Sequence, residues 1–346
     1  MSSTSQVNTS LSAPPAPILM HLSPASLEQV SKLITQKVTV ETPYFFPIAF
    51  ISLFFILYLL ASLLHNLVLP LTLRRQWSSI KSEHRRTMVI YILQILFTST
   101  ALILQLSVLP LLNLNFSVVR LNVLRASACL LAALYLFELV YRYRMTYPMI
   151  FHHLITCFAM SLSLVMLERL SDPSYALTGL LWIFQATTEQ TVFAALFMYR
   201  LSAPVRILGP LFGFSAIQSL VFKFASIAAT IWVWVKYQKP ASAPLYYAWD
   251  ALYWICTVGL AFTQVWGAWV VWNMGNSLEK RYKQKQEQEQ DHQVSNLTPV
   301  LTISHGQSSQ AITIQSSRSA SSQFTPDFEK PNPSDLESGA KIYAQR

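Results

Sequence analysis

Long apolar stretches separated by short polar connections dominate the first 275 residues of the chain. An α-helix needs close to 20 residues, at about 1.5 Å per residue, to cross about 30 Å of hydrocarbon. Seven stretches approach this length, near residues 44–69, 87–112, 122–142, 147–167, 175–198, 207–236 and 244–274. The pattern predicts an all-α polytopic transmembrane helical bundle of about seven spans, and six or eight spans are also compatible with it.

The stretch near 207–236 is the least regular of the seven. Pro210, Gly213, Gln218 and Lys223 interrupt its apolar run. Irregular backbone at membrane depth is tolerated only where protein covers it or where it lines a wet cavity. If any of the seven spans is broken or re-entrant, we expect it to be this one.

Composition agrees with a membrane protein. Of the 346 residues, 53% are hydrophobic and 12% are charged, and the mean hydropathy is +0.37. A water-soluble core could hardly bury so large an apolar share. The three cysteines all fall within predicted spans, which argues against a disulfide framework.

Basic residues in the connections indicate the orientation. They concentrate in alternate connections, which the positive-inside rule assigns to the cytosol. These residues are Arg74, Arg75, Lys81, Arg85, Arg86, Arg142, Arg144, Arg200, Arg206, Lys280, Arg281, Lys283 and Lys285. Seven spans with a lumenal N-terminus and a cytosolic C-terminus satisfy every loop, and the sequons at Asn8 and Asn115 then also face the lumen.

The chain divides into four predicted segments. They are a lumenal or extracellular segment at 1–43 with a short amphipathic helix at 23–38, a first span with a basic loop at 44–79, the main transmembrane domain at 80–275, and a disordered cytosolic tail at 276–346. The first span is expected to act as a signal-anchor, because no cleavable signal peptide precedes it. The basic start of the tail favours contact with anionic lipid over nucleic-acid binding, and it is equally well explained as a topology signal.

Polar side chains recur at similar depths within five of the spans. Counted from the predicted cytosolic helix ends, they lie roughly 6 to 15 Å inside the hydrocarbon. They are His65, Glu138, His152, His153, Glu189 and Gln264. Ionisable groups at such depth are costly unless they pair or line a wet cavity. The pattern therefore predicts a polar cavity that opens toward the cytosol.

Two adjacent histidines lie in the stretch YPMIFHHLITCFAM. Neighbouring side chains on a helix project about 100° apart, so one of His152 and His153 can face the cavity while the other meets a carboxylate on another helix. Glu138, at similar depth on the preceding span, is the natural partner. Two simpler interpretations stay open. One is that the histidines serve only as interhelical hydrogen bonds. The other is that Glu138 snorkels beside Arg142, four residues later.

The span near 175–198 carries a second polar group. Gln185 and Glu189 are four residues apart and are expected to share a helical face that Phe193 and Arg200 continue. Lys223, in the next span, could neutralise Glu189 and hold the two helices in register.

These residues form a pattern similar to that of a known family. The motifs are Tyr135-x-x-Glu138-Leu139, Met149-x-x-His152-His153-x-x-Thr156, Glu189-x-Thr191-x-Phe193 followed by Arg200-Leu201, and Gln264-x-Trp266. Over about residues 80–275 the chain resembles the TLC domain of ceramide synthases, translocation-associated membrane proteins and related lipid-regulatory proteins, and it is closer to the non-synthase branch. The resemblance implies an endoplasmic-reticulum membrane bundle with a lipid-accommodating cavity into which the histidine pair points.

The resemblance also implies a role in lipid metabolism. The implied reaction is like that of ceramide synthases and belongs to sphingolipid metabolism. Acyl-CoA would be a co-substrate, and its acyl group would pass to a lipid amine or hydroxyl. The resemblance implies no bound cofactor. His152 or His153 would act as nucleophile or general base, and Glu138 or Glu189 would orient it. Residues that would contact substrate or lipid are Thr156, Gln185, Phe193, Arg200, Lys223, Gln264 and Trp266.

The chain departs from the synthase pattern one helix after the histidines. Ceramide synthases carry a His-Asp-x-x-Asp stretch there, whereas this chain reads FQATTEQTVFAALF. The alternative function is therefore a non-enzymatic protein that binds, senses or moves lipids and controls membrane composition. Expected partners are membrane lipids and long-chain acyl-CoA, with a homo- or hetero-oligomer left open.

Other classes of membrane protein fit the pattern less well. A di-iron desaturase needs several histidine boxes, but only His65, His152 and His153 lie in predicted spans. These three histidines and one glutamate are enough in number to bind zinc. However, the chain has no spacing typical of metal ligands, such as two histidines four residues apart on one helix, so no metal is expected. A proton-coupled transporter would also need buried carboxylates and histidines, but the chain shows no internal repeat.

Overall fold

The computed structural model describes residues 47–113, 115–170, 174–238 and 244–297, and within the N-terminal segment only positions 29 and 33. The predicted amphipathic helix at 23–38, apart from those two positions, and the tail beyond 297 therefore lie outside the described residues. Within the described part every regular element is a helix and none is a strand. The prediction of an all-α polytopic bundle is confirmed.

The described residues form eight α-helices, and a short 3-10 helix at Leu109–Asn113 follows the second of them. These are α1 (Pro47–Arg74), α2 (Ser82–Ser107), α3 (Val118–Tyr141), α4 (Tyr147–Leu170), α5 (Ser174–Thr187), α6 (Gln190–Arg200), α7 (Val205–Tyr237) and α8 (Pro244–Leu297). Helix α1 contains a π-helical turn at Leu64–Val68, and a kink at Arg74 leads into a further helical turn that ends at Ser79. Six of the helices, α1 to α4, α7 and α8, are long and apolar enough to cross a membrane.

The broken span is the fifth predicted one and not the sixth. The stretch predicted near 175–198 divides into α5 and α6, with a break at Thr188 and Glu189. Helix α7 runs without interruption over 33 residues, with Pro210 close to its start. Gln218 and Lys223 do not break α7, because their side chains bind residues at the break and on α6 instead.

The last helix extends beyond its predicted end. The apolar pattern placed the end of the last span near 274 and predicted disorder from 276, but α8 continues to Leu297. Glutamate, lysine and glutamine dominate this extension, and all three are good helix formers. The chain divides into a compact unit that ends at Arg281 and a second unit that begins at Tyr282, of which the described part is helical.

Helix α5 lies at the centre of the bundle. It packs against α2, α3, α4 and α7, and nearly all of its residues are buried. Thr187 and Thr188, at the break that follows α5, are 0% and 5% exposed. The break therefore lies inside the protein and not against lipid.

Glycines allow α8 to pack closely on its neighbours. A Cβ atom added to Gly259 would collide with the Ile155 side chain of α4. A Cβ atom added to Gly275 would lie 3.0 Å from the Cβ of Phe212 on α7. Small residues bring membrane helices together in this way. The close approach at Gly259 sets α8 beside the histidine-bearing turn of α4.

Arginines cluster at one end of the bundle. The guanidinium of Arg142 lies 5.9 Å from the ring centre of Tyr91, and that of Arg86 lies 5.8 Å from the ring centre of Tyr141. These contacts join the start of α2 to the end of α3, and Arg200 at the end of α6 is an electrostatic neighbour of the first turn of α2. We refer to this end, where the connections α1–α2, α3–α4 and α6–α7 lie, as the basic end.

Candidate functional site

Glu138 is the centre of a buried ion-pair cluster. Its side chain is 3% exposed, and one carboxylate oxygen accepts a hydrogen bond from Nη1 of Arg142 at 2.8 Å. The other oxygen accepts from Nε2 of Gln94 on α2 and lies 3.3 Å from Nε2 of His153. The predicted pairing of the histidines with Glu138 is thus confirmed, through His153. Since the carboxylate is buried and contacted on both oxygens, Glu138 does not snorkel to the surface.

The contact between His153 and Glu138 is electrostatic. Neither ring nitrogen of His153 has a hydrogen-bond partner among the described residues, although Nε2 is within ion-pair distance of the carboxylate. The ring instead packs against Tyr135, with 4.3 Å between the ring centres. Helix α3 supplies both partners, because Tyr135 and Glu138 are three residues apart and share a face.

His152 turns toward α8 rather than toward Glu138. Its Nδ1 lies 3.2 Å from the hydroxyl oxygen of Thr263. That hydroxyl donates its own proton to the carbonyl oxygen of Leu260 at 2.9 Å, so toward the histidine it acts as an acceptor. In the tautomer that this arrangement accommodates, Nδ1 of His152 carries the ring proton and Nε2 has the lone pair. Nε2 is buried and has no hydrogen-bond partner among the described residues.

Tyr135 contacts both histidines and was noted in the sequence only as part of a motif. Its ring centre lies 6.0 Å from that of His152, and the residue is 1% exposed. The hydroxyl is buried and has no hydrogen-bond partner within the described part of the chain. Its position one turn before Glu138 was the available signal, but tyrosines are too common in membrane helices for that spacing alone to indicate a role.

The break between α5 and α6 holds a second buried ion pair. Glu189 precedes α6, with backbone angles φ −103° and ψ 9°, and its carboxylate binds Nζ of Lys223 from α7. The side chains of Glu189 and Lys223 are 16% and 4% exposed. The predicted pair of Lys223 and Glu189 is confirmed. The expectation that Gln185 and Glu189 share a helical face is wrong, because α5 ends at Thr187, between them.

Side chains from other helices satisfy the polar groups at the break. The hydroxyl of Thr187 donates to the side-chain oxygen of Gln105 on α2 at 2.7 Å, and that of Thr191 donates to Gln218 on α7 at 2.7 Å. The backbone carbonyl of Glu189 accepts the first hydrogen bond of α6, from Phe193. These hydrogen bonds stabilise the break, because buried polar groups left without partners would be costly.

The two ion pairs belong to one buried polar layer. The electrostatic neighbours of the His152 ring are His153, Lys223 and Glu138. Those of the Tyr135 hydroxyl include Glu189 and Glu138. The layer thus joins α2, α3, α4, the α5–α6 break, α7 and α8, and these residues define the candidate site.

The remaining predicted contact residues differ in their placement. Gln185 and Gln264 are 2% and 3% exposed, and each has a side-chain polar atom without a hydrogen-bond partner in the described part of the chain. Thr156 donates its hydroxyl to the backbone of its own helix, at the carbonyl of His152, 2.7 Å away. Phe193 is buried, whereas Arg200 and Trp266 are half-buried and Arg200 lies at the basic end.

His65 lies apart from the polar contacts of this layer, whereas Cys157 is an electrostatic neighbour of the Tyr135 hydroxyl. The His65 ring packs edge-on against Trp77, with 5.6 Å between the ring centres. The three cysteines are free. Within the described ranges, no group of three or more histidine, cysteine, aspartate or glutamate side chains is arranged to hold a metal ion.

Comparison with known proteins identifies no relative: no family model matches the chain, and no curated protein or solved structure is significantly similar to it.

Proposed function

We propose that the protein is a lipid acyltransferase of the endoplasmic-reticulum membrane that transfers an acyl group from acyl-CoA to a lipid amine or hydroxyl. The observation that supports this most is the buried Nε2 of His152, which has no hydrogen-bond partner among the described residues while Nδ1 lies 3.2 Å from the Thr263 hydroxyl. With the ring proton on Nδ1, Nε2 offers the lone pair that a general base or a nucleophile requires. The resemblance to the TLC domain in the motifs around Glu138, His152 and Glu189 points to the same chemistry.

Each group of the layer has a role in this reaction. Nε2 of His152 accepts the proton of the lipid amine or hydroxyl as that group attacks the thioester carbonyl. The carbon–sulfur bond then breaks, and the imidazolium returns the proton to the departing CoA thiolate. The Tyr135 hydroxyl can donate to the carbonyl oxygen as it becomes negative. Glu138 and His153 hold the α3 and α4 faces together, so they position the site without touching substrate.

Orientation of the substrates follows from the charge distribution. The arginines of three connections lie at the basic end. Because the phosphates of CoA are anionic, the proposed entry for acyl-CoA is at this end. With the positive-inside rule, this end faces the cytosol, where acyl-CoA is available. Lys223 and Glu189, which pair at the break between α5 and α6, lie next to His152 on that side of the site.

The test compares purified wild type with His152→Ala, given long-chain acyl-CoA and a panel of sphingoid and glycerolipid acceptors. We expect an acylated lipid from wild type, and at least a 100-fold lower rate from His152→Ala because a general base contributes about 10²- to 10⁴-fold. His65→Ala is the matched control, because this histidine is also in a span but contacts Trp77. A mass increase equal to one acyl group on His152 would identify it as a nucleophile.

A second candidate function is lipid binding without turnover. The observation that favours it is a cleft between α3, α4 and α5 that is lined mainly by apolar side chains and is not built from the histidines. This protein would retain lipid and alter membrane composition through partners. The same experiment separates the two: co-purifying lipid with no product from wild type or variant would contradict the acyltransferase and support the binding protein.

A further inference from the structure

A group of basic side chains lies at the basic end, where α6 ends beside α8. Arg200 is the last residue of α6, and Arg281 lies on α8. Both guanidiniums are electrostatic neighbours of the Tyr199 hydroxyl. Arg200 is also a neighbour of the ring of His84, in the first turn of α2. We refer to Arg200, Arg281 and His84, which three different helices supply, as the α6–α8 basic cluster.

Packing between α6, α7 and α8 fixes the position of this cluster. The ring centre of Tyr199 lies 6.1 Å from that of Phe212 on α7. Phe212 also faces α8, where a Cβ atom added to Gly275 would lie 3.0 Å from its own Cβ. Leu278 of α8 packs on the same apolar group as Tyr199. Arg281 follows Leu278 by three residues and so lies on the same side of α8, at the edge of the packed group.

The described residues supply more positive than negative charge at this place. No ion pair between described residues involves Arg200 or Arg281. The other electrostatic neighbours of His84 are Lys81 and one carboxylate, that of Glu83. Nε2 of His84 is buried and has no hydrogen-bond partner among the described residues. Neighbouring cations repel one another, so an anion bound between them would stabilise the arrangement.

An apolar surface adjoins the cluster. Helix α7 begins at Val205, directly after the connection from α6, and packs against α6. Its first turns leave Ile207 and Phe214 exposed by 52% and 60%. These two residues are seven apart, about two helical turns, so they lie on one face. A lipid bound by its headgroup at the cluster therefore has an apolar surface for its acyl chains close by.

We propose that the α6–α8 basic cluster binds an anionic phospholipid of the cytosolic leaflet through a phosphomonoester headgroup, as in phosphatidic acid. Arg200 and Arg281 would bind the phosphate oxygens, because a guanidinium fork matches their geometry. His84 would donate to the same phosphate from Nε2. Basic pockets between membrane helices on the cytosolic side are typical sites for anionic headgroups. The inference does not depend on the proposed acyl transfer.

Binding of phosphatidic acid to the purified full-length protein tests the proposal, with phosphatidylcholine of the same acyl chains for comparison. Native mass spectrometry counts the bound lipids across a titration. We expect wild type to bind phosphatidic acid at least tenfold more tightly than phosphatidylcholine. Arg200→Gln and Arg281→Gln should each weaken phosphatidic acid about fivefold, which is the effect of one basic residue near a charged membrane surface, and should leave phosphatidylcholine unchanged.

Arg144→Gln is the matched control. This arginine is also exposed at the basic end, but it lies in the α3–α4 connection, with its guanidinium 5.5 Å from the ring centre of Tyr143. Its replacement removes the same charge away from the cluster, so it should change the affinity for phosphatidic acid less than twofold. Arg281 is exposed, and Arg281→Gln therefore decides the matter if Arg200→Gln fails to fold.

Three outcomes would overturn the proposal. Equal affinities of wild type for the two lipids would show that no headgroup is recognised. Equal losses in Arg144→Gln and Arg281→Gln would show a general attraction to anionic lipid, as a topology signal alone would produce. Displacement of phosphatidic acid by glycerol 3-phosphate or by free coenzyme A would show that the cluster binds soluble phosphates. Since none of these measurements requires turnover, the acyltransferase proposal can fail while this one holds.

Discussion

Two neighbouring histidines have different chemistry because their ring nitrogens have different surroundings. His153 lies against a carboxylate on α3, while His152 is held by Thr263 on α8. Nε2 of His152 and both ring nitrogens of His153 are buried without a hydrogen-bond partner among the described residues, but only His152 has a hydroxyl beside its other nitrogen. Adjacent positions in a sequence cannot show this division, because it depends on which helices stand on either side of α4.

The contribution of Glu138 to stability can be measured by its removal. Glu138→Ala leaves the guanidinium of Arg142 buried without its carboxylate, and breaking a buried pair in this way costs about 3–5 kcal/mol. We expect a clear decrease in the thermal unfolding temperature of the detergent-purified variant. Glu83→Ala, at an exposed carboxylate in the first turn of α2, should change it little. Equal effects of the two variants would show that the cluster around Glu138 is not structural.

At the scale of elements, the broken helix is the most informative feature. Helices α5 and α6 are each too short to span a bilayer, and the break between them is held by α2 and α7. The Glu189–Lys223 pair anchors the break to α7. In a membrane bundle, a break in a helix exposes backbone N–H and C=O groups at a depth where a regular helix would present only side chains.

Exchange of the two charges at the break tests whether they act as a pair. Glu189→Lys places two cations together, and Lys223→Glu places two anions together, so each single variant should destabilise the protein. The double variant restores opposite charges and should recover at least half of the lost thermal stability, as a double-mutant cycle measures. Additive losses in the cycle would indicate that the two side chains do not interact.

At the scale of the whole molecule, the distribution of charge predicts the orientation in the membrane. The arginines of three connections meet at the basic end, and the opposite end of the bundle carries the cleft. On α3 the lining of the cleft extends from Leu121 to Ala132, and Tyr135 and Glu138 of the candidate site follow nearer the basic end.

Labelling of single cysteines checks this orientation. The background lacks the three native cysteines, and Ser79→Cys and Asn113→Cys place one exposed thiol at each end of the bundle. In sealed microsomes a membrane-impermeant maleimide should modify Ser79→Cys at once and Asn113→Cys only after permeabilisation. The reverse pattern would place the basic end in the lumen and would remove the argument for acyl-CoA entry there.

The sequence by itself determined the helical class, because apolar runs of near-bilayer length are a local property. It also indicated the pairing of the histidines with Glu138 and of Lys223 with Glu189, because buried charges at similar depth require partners. Only the tertiary structure decided that the chain breaks at Glu189 and stays continuous past Pro210. Polar partners from neighbouring helices hold that break, and their positions result from packing between distant segments of the chain. The same packing decided that His152 is the histidine whose Nδ1 lies beside a hydroxyl, since Thr263 lies more than 100 residues further along the chain.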